Sequence, residues 1–199
     1  MSFYELIKSR RSIRQFQPKP VPEDILKKCA DAARLAPSAA NLQPLEYILV
    51  NDPAQCERIF PLLRWAAYIQ PKGNPKPGQH PTAYLIILIN ESLGNDWKFH
   101  DVGAAVENFI LAAWSQGIGS CWLASVDRDK LRVLYKIPED YKIDSVLALG
   151  YPAEEPVAED RSETVRYWQD DTGRLHVPKR PLEKILHLNL FNTRKNNAS

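Results

Sequence analysis

Apolar and polar positions change period repeatedly along the chain, and each change marks an element. Phe3, Leu6 and Ile7 share one helical face, and Ser2 followed by Glu5 has capping-box spacing, which predicts a short helix to about Arg11. A second helix opens at Pro22, with Glu23 and Asp24 in the first turn, where the helix dipole favours acid. It carries Ile25, Leu26, Cys29, Ala32, Ala33 and Ala36 and stops before Pro37. Tyr47–Val50 reads as a buried strand, and Asp52-Pro53 starts a helix to about Leu63. Residues 70–81 are rich in proline and glycine and read as a long loop. Ala83–Ile89, seven apolar residues in a row, is the clearest strand. Asp101–Gln116 is the clearest helix, with Val102, Ala105, Val106, Phe109, Ile110, Ala113 and Trp114 on one broad face and Gly117 as its C-cap. Ser120–Ala124 reads as a strand, Asp127 as the cap of a helix to Tyr135, and Val146–Leu149 as a strand closed by Gly150-Tyr151-Pro152. Residues 157–178 are polar and read as irregular, with a turn at Asp171–Gly173; a short helix over Pro181–His187 and a disordered tail at 192–199 end the chain. This alternation of strands and helices suggests a doubly wound parallel sheet, although loop chemistry does not fix strand direction.

Length and composition narrow the class. The 199 residues fit roughly one domain. With 44% hydrophobic and 25% charged residues, fibrous and disordered classes are excluded. A net charge of +2 is too balanced to argue for nucleic acid or an anionic membrane as partner. No apolar run approaches the roughly 20 residues of a membrane span, and the start Met1-Ser2-Phe3-Tyr4-Glu5 does not read as a secretory signal. The three cysteines, Cys29, Cys56 and Cys121, are odd in number and widely spaced, which predicts a reducing, cytoplasmic compartment.

Several chemistries have no sequence support. Gly117-Ile118-Gly119-Ser120 follows a helix rather than a strand, so it is not a dinucleotide fingerprint. There is no P-loop, no His-Glu-x-x-His and no Gly-x-Ser-x-Gly, and the four histidines lack metal-ligand spacing.

Four segments carry chemistry of another kind. In Arg10-Arg11-Ser12-Ile13-Arg14, Arg10 and Arg14 share a face if the helix continues, and guanidinium forks match phosphate oxygens. In Pro37-Ser38-Ala39-Ala40-Asn41-Leu42-Gln43-Pro44, two prolines fix a loop whose hydroxyl and amide groups suit the imide edge of a pyrimidine-like ring. The helix from Asp101 contains Glu107-Asn108 and leads to Gly117-Ile118-Gly119-Ser120-Cys121-Trp122, where the glycines permit close backbone approach. Lys179 and Arg180 precede Pro181 at a helix start, a setting that suits phosphate. Singly, these segments read more readily as a solvated basic helix end, a polar turn, a core helix and a charged surface turn.

Together and in order, they resemble the FMN-dependent nitroreductase family. Its Arg-Arg-Ser-x-Arg-x-Phe opening is matched by Arg10, Arg11, Ser12, Arg14 and Phe16. Its Ala-Pro-Ser-x-x-Asn-x-Gln-Pro loop is matched from Ala36 to Pro44, and its Asp-x-Gly-Ala-Ala-x-Glu-Asn helix by Asp101, Gly103, Ala104, Ala105, Glu107 and Asn108. Gly-x-Gly-Ser-x-Trp, Ile-Pro, Leu-Gly-Tyr-Pro and Arg-Pro-Leu-Glu segments follow, so the match spans about residues 3–187. The resemblance implies an α+β fold, a three-layer sandwich with a mixed, largely antiparallel sheet flanked by helices. It implies one FMN-binding domain over residues 1–191, with 157–178 as extra sequence near the site, in an intertwined homodimer.

The resemblance also implies roles. Arg10, Arg11, Ser12 and Arg14 would bind the FMN phosphate and ribityl chain. Pro37, Ser38, Ala39, Asn41 and Gln43 would reach FMN from the partner subunit, and Arg180 with Lys179 would close on the phosphate. The backbone at Trp122, Leu123 and Ala124 would lie near the isoalloxazine ring. NAD(P)H would reduce the flavin by hydride transfer, and a small aromatic, nitro or quinone-type acceptor would then take the electrons at the same face in ping-pong order. No protein acid or base is then required, and Trp65, Tyr68, Trp97, Trp122 and Trp168 are candidates for stacking on the acceptor. Alternatives on the same fold are a dehalogenase-like or flavin-modifying enzyme, or a flavin-binding protein without turnover.

Overall fold

The computed structural model describes residues 2–161 and 163–191. They divide into two compact units, one up to Glu155 and one from Pro156. The expected disordered tail at 192–199 lies outside the described residues.

The first unit is built on a four-stranded sheet of β1 (Leu45–Val50), β2 (Ala83–Asn90), β3 (Gly119–Leu123) and β4 (Tyr141–Gly150), in the order β1-β2-β4-β3. Every neighbouring pair is antiparallel, so the parallel sheet suggested by strand–helix alternation is wrong and the antiparallel expectation holds. The apolar run in β2 reported something else. All its residues but Asn90 are buried, because both faces of the strand are covered. A continuous apolar run thus encodes two-sided burial and carries no information on strand direction.

On one face, Leu85, Ile87 and Ile89 of β2 and Leu147 and Leu149 of β4 meet Leu26, Cys29 and Ala33 of α2 (Glu23–Arg34) and Val102, Val106 and Phe109 of α4 (Lys98–Ser115). On the other, Tyr84 is fully buried close to Cys56 of α3 (Pro53–Ile59) and Tyr135 of α5 (Arg128–Tyr135). That gives three layers, helix–sheet–helix. α4 starts three residues before the expected Asp101, and α3 passes into a 3-10 turn at Phe60–Leu62. The predicted caps are present: Asp52 accepts from Gln55 N, Asp127 from Lys130 N, and Gly117 has a left-handed φ of 75°.

The amino-terminal segment departs from expectation where it matters. Ser2 caps α1 (Phe3–Ser9) by accepting from Glu5 N, but Arg10 is already extended, so the helix does not reach Arg11 and Arg10 and Arg14 do not share a helical face. Beyond it the chain runs along the free edge of β3: Ser12 bridges Ser120, Ile13 N donates to Ser120 O at 2.8 Å, and Phe16 bridges Pro152. Burying Ile13 and Phe16 completely against the sheet outweighs the helix propensity of the arginines. Space for them comes from two glycines paired across the sheet, Gly119 and Gly150. A Cβ on Gly119 would lie 2.6 Å from Ile13 Cγ1, and one on Gly150 would lie 2.8 Å from Phe16 Cδ1.

The second unit corrects the expectation of an irregular 157–178 segment. β5 (Val157–Asp160) pairs parallel with β7 (Leu175–Lys179), and β6 (Trp168–Gln169) pairs antiparallel with it. Of the helix expected over Pro181–His187, only a 3-10 turn at Leu182–Lys184 forms.

Candidate functional site

The basic segment is held in place through its backbone and through the side chain of Gln15. Glu154 Oε1 accepts from the main-chain N–H of Arg14 and, at 3.2 Å, from that of Gln15. Gln15 is buried and ties the segment to the loop before β2, donating to Asn74 O at 2.9 Å and accepting from Lys76 N at 3.0 Å. Burial pushes the Glu154 carboxyl up, and the amides it accepts from and the Arg14 charge pull it back.

Among the side chains, Arg10 Nε lies 3.7 Å from Glu107 Oε1 of α4. Arg11 donates to the Arg10 carbonyl and is half-buried; burial first, then the neighbouring Arg10 charge, pull its pKa down. Two adjacent cations in a partly desolvated setting form a donor set that a bound dianion would stabilise. The residues therefore fit a phosphate, although in an extended run and not on one helical face.

The second group is the loop from Pro37 to Pro44. Ala40, Asn41 and Gln43 all have left-handed φ, at 51°, 55° and 50°. No glycine is among them, and a non-glycine residue in such a conformation typically costs about 1–3 kcal/mol. The loop is held at its two ends. Ser38 Oγ donates to Asp101 Oδ2 at 2.7 Å, Ala39 N donates to Asp101 Oδ1 at 3.0 Å, and Gln43 N donates to Ser38 Oγ at 2.9 Å. Hydrogen bonds to a charged group contribute about 1.5–3 kcal/mol each, which is comparable with the strain. Asn41 and Gln43 are exposed, with Gln43 Nε2 donating to Asn41 O at 3.3 Å. A cavity of about 130 Å³ lies between this loop, α2 and Asp101.

The third group is on β3. Trp122 is 42% exposed, and its indole N–H donates to Ser145 Oγ at 2.7 Å, which in turn donates to Asp144 Oδ2 at 2.6 Å. Leu123 is buried and Ala124 exposed; the Ala124 carbonyl accepts from Arg128 Nη2 at 3.0 Å. Trp122 therefore offers an oriented ring, whereas Trp65, 4% exposed, is core and cannot meet an incoming acceptor. Tyr68 and Trp97 are exposed, the latter beside His100.

Lys179 and Arg180 lie in the second unit, at and just after the end of β7; both are exposed, and Arg180 Nη2 donates to Lys184 O at 3.3 Å. The same unit holds a cluster that sequence reasoning missed. The ring of His176 faces Glu159 through Nδ1 and Asp170 through Nε2, at 3.0 Å for the latter, and stacks on Trp168 with centroids 4.2 Å apart. Its partners lie 6 and 17 residues away, and only strand pairing joins them. Asp101 was legible as part of a motif, but its anchoring role was not. Among the described residues no group of His, Cys, Asp and Glu could hold a metal ion, and no helix is long and apolar enough to cross a membrane.

The fold recurs in solved structures. An FMN-dependent nitroreductase of Clostridium difficile R20291 superposes with a TM-score of 0.65 at 25% identity, covering 94% of this chain and 98% of that one. Residues 7–151 match the model of the nitroreductase family. A protein of Methanothermobacter thermautotrophicus, provisionally named NADH dehydrogenase/NAD(P)H nitroreductase, is 33% identical over 185 residues, 90% of this chain and 88% of that protein. An iodotyrosine deiodinase of Nematostella vectensis is 25% identical over 94% of this chain and 74% of its own length. The chain belongs to the nitroreductase family, a family of oxidoreductases.

Proposed function

We propose that this protein is an FMN-dependent NAD(P)H oxidoreductase that reduces a small, planar aromatic, nitro or quinone-type acceptor as a homodimer. The observation that carries the proposal is the half-buried Arg10–Arg11 pair, which leads directly into the stretch that Ser12 and Ile13 fasten to the edge of β3, with the Arg10 charge close enough to pull the Arg11 pKa down. Arg10, Arg11 and Arg14 with the Ser12 hydroxyl would take the phosphate and ribityl chain. Lys179 and Arg180 join this assignment on sequence resemblance alone. Pro37, Ser38, Ala39, Asn41 and Gln43 would approach the cofactor's polar ring edge from the other subunit. Trp122, Leu123 and Ala124 would border the ring.

The chemistry such a cofactor supplies is two-electron exchange, hydride in from the nicotinamide and electrons out to the acceptor. The chain's part is to bind, orient and exclude water, and no side chain is assigned a proton transfer. The test is the visible absorption spectrum of the purified protein before and after anaerobic NADH or NADPH. A yellow protein that bleaches and recovers with a nitroaromatic or quinone supports the reading. A protein that takes up no added FMN overturns it.

The similarity to an iodotyrosine deiodinase favours a second reading, reductive dehalogenation of a halogenated phenol. Halide release from such a substrate by the reduced protein, with no turnover of nitroaromatics or quinones, would select it.

A further inference from the structure

The carboxylate of Asp101 is 5% exposed and sits in the first turn of α4, yet neither oxygen is used to cap that helix. Both oxygens point outward to the loop after α2, one taking the Ser38 hydroxyl and the other the Ala39 amide. Ser38 Oγ then takes the Gln43 amide, so that one buried charge reaches both ends of the segment. Ala40, Asn41 and Gln43, the three left-handed residues, lie inside this closed ring of hydrogen bonds. Their side chains are exposed, so no packing holds the backbone in that conformation. Pro44, buried just beyond the ring, fixes where the chain must leave.

We infer that Asp101 is a positioning residue for cofactor binding: through Ser38 it holds the 39–43 loop in its left-handed form before ligand arrives, so that the Asn41 and Gln43 amides meet the polar edge of a flavin ring pre-aligned. This rests on the flavin reading above. Asp101 acts through the loop, since its two oxygens are taken by the Ser38 hydroxyl and the Ala39 amide. Its effect is to remove the ordering cost that a loose loop would impose on binding. Asn in its place keeps the shape but supplies one acceptor and one donor where two acceptors are needed. Ser38 is the second member of the relay; its backbone is extended, at φ −128° and ψ 140°, so threonine fits there and keeps the hydroxyl.

The experiment uses the full chain and FMN itself, titrated by flavin fluorescence, with amide hydrogen exchange followed in the absence of FMN. Asp101→Asn and Ser38→Ala are each expected to weaken FMN binding by about tenfold or more, the scale of one hydrogen bond to a charged group. The double variant should be no worse than the weaker single one, because both break the same relay. In the absence of FMN, Ser38→Thr, which keeps the hydroxyl, should leave exchange at residues 39–43 as slow as in the wild type, whereas Ser38→Ala should quicken it. Exchange at residues 39–43 should quicken in Asp101→Asn while the strands keep their protection, an outcome that general loss of stability would not give. Should Asp101→Asn fail to fold, the contrast between Ser38→Ala and Ser38→Thr decides. Wild-type protein that takes up no FMN overturns the functional reading and this role with it. Wild-type uptake with unchanged affinity in both Asp101→Asn and Ser38→Ala, or unchanged exchange in the loop, overturns the positioning role alone.

Discussion

Replacing Gly119 by alanine tests how tightly the basic segment is seated. The added Cβ would stand 2.6 Å from Ile13 Cγ1, 2.9 Å from Ile13 Cβ and 3.1 Å from Pro152 Cγ. Optimal carbon contacts lie at about 3.5–4.0 Å, so roughly 1 Å must open between β3 and the segment. Ile13 has nowhere to turn, because it is fully buried and its amide is tied to Ser120 O at 2.8 Å. Overpacking of this kind costs about 1–3 kcal/mol, and weakening that hydrogen bond about 1 kcal/mol more. The smaller conformational entropy of the unfolded chain returns about 0.5–1 kcal/mol. The net expectation is a loss of about 2 kcal/mol, or a fall in Tm of roughly 4–8 °C for a chain of this size.

The assay is thermal unfolding followed by far-UV circular dichroism, paired with FMN titration, since moving Ile13 also moves Arg10–Arg14. Gly103→Ala is the control. Gly103 lies on α4 with nothing within 4 Å of an added Cβ, so alanine should stabilise by up to about 1 kcal/mol. A Gly119→Ala protein with Tm within about 1 °C of wild type would refute the argument, because it would mean that the segment is not packed against β3 as described.

Three further outcomes are expected. Arg10→Ala and Arg180→Ala should each weaken FMN affinity, and unchanged affinity in both would sink the phosphate assignment. The hydrogen bonds of Asp170 and Glu159 raise the pKa of His176, while those from Thr172 and His176 lower that of Asp170. The stability His176 adds is therefore full below its unfolded value of about 6.5 and is lost as pH rises through the raised one; that of Asp170 is present above about 3.9 and lost in acid. The second unit should thus be firmest in mildly acidic solution, and an NMR titration placing His176 at or below its ordinary value would contradict this. Finally, burial lifts the thiols of Cys29, Cys56 and Cys121 to about 11, so at neutral pH all three should react with a disulfide reagent only after unfolding; one that titrates rapidly in the native protein would count against the packing.

Local chemistry was legible in the sequence where one short stretch decides the outcome. Ser2, Asp52 and Asp127 announce helix starts because the cap and the amide it accepts from lie three residues apart. The motif residues of the basic segment, the Pro37–Pro44 loop and β3 could be named from their order in the chain. Their conformations were not legible. Arg10 to Arg14 leave the helix because Ile13 and Phe16 find their burial more than 100 residues away, beside Gly119 and Gly150. Ala40, Asn41 and Gln43 take backbone angles that residue type argues against; local turn hydrogen bonds support them, and the anchor of the loop, Asp101, lies some 60 residues away. The 157–179 sheet stayed hidden because its strands are short and polar and β5 pairs in parallel with β7; only the Asp171–Gly173 turn, which closes the β6–β7 hairpin, was legible.

The glycine pair in the sheet also sets an order of events. Residues 12–16 dock on β3 and the chain just after β4 as well as on the loop before β2, so this early segment cannot take its full place until β4 has been made. Contacts of such sequence separation form late and slowly compared with local ones. A chain still emerging from the ribosome, or truncated before about residue 152, would carry its arginines on a loose end, able to attract a phosphate but not to hold it in register. Under the proposed function, anion capture by this segment would therefore certify that the sheet has closed: the early residues would become competent only once nearly the whole first unit has vouched for them.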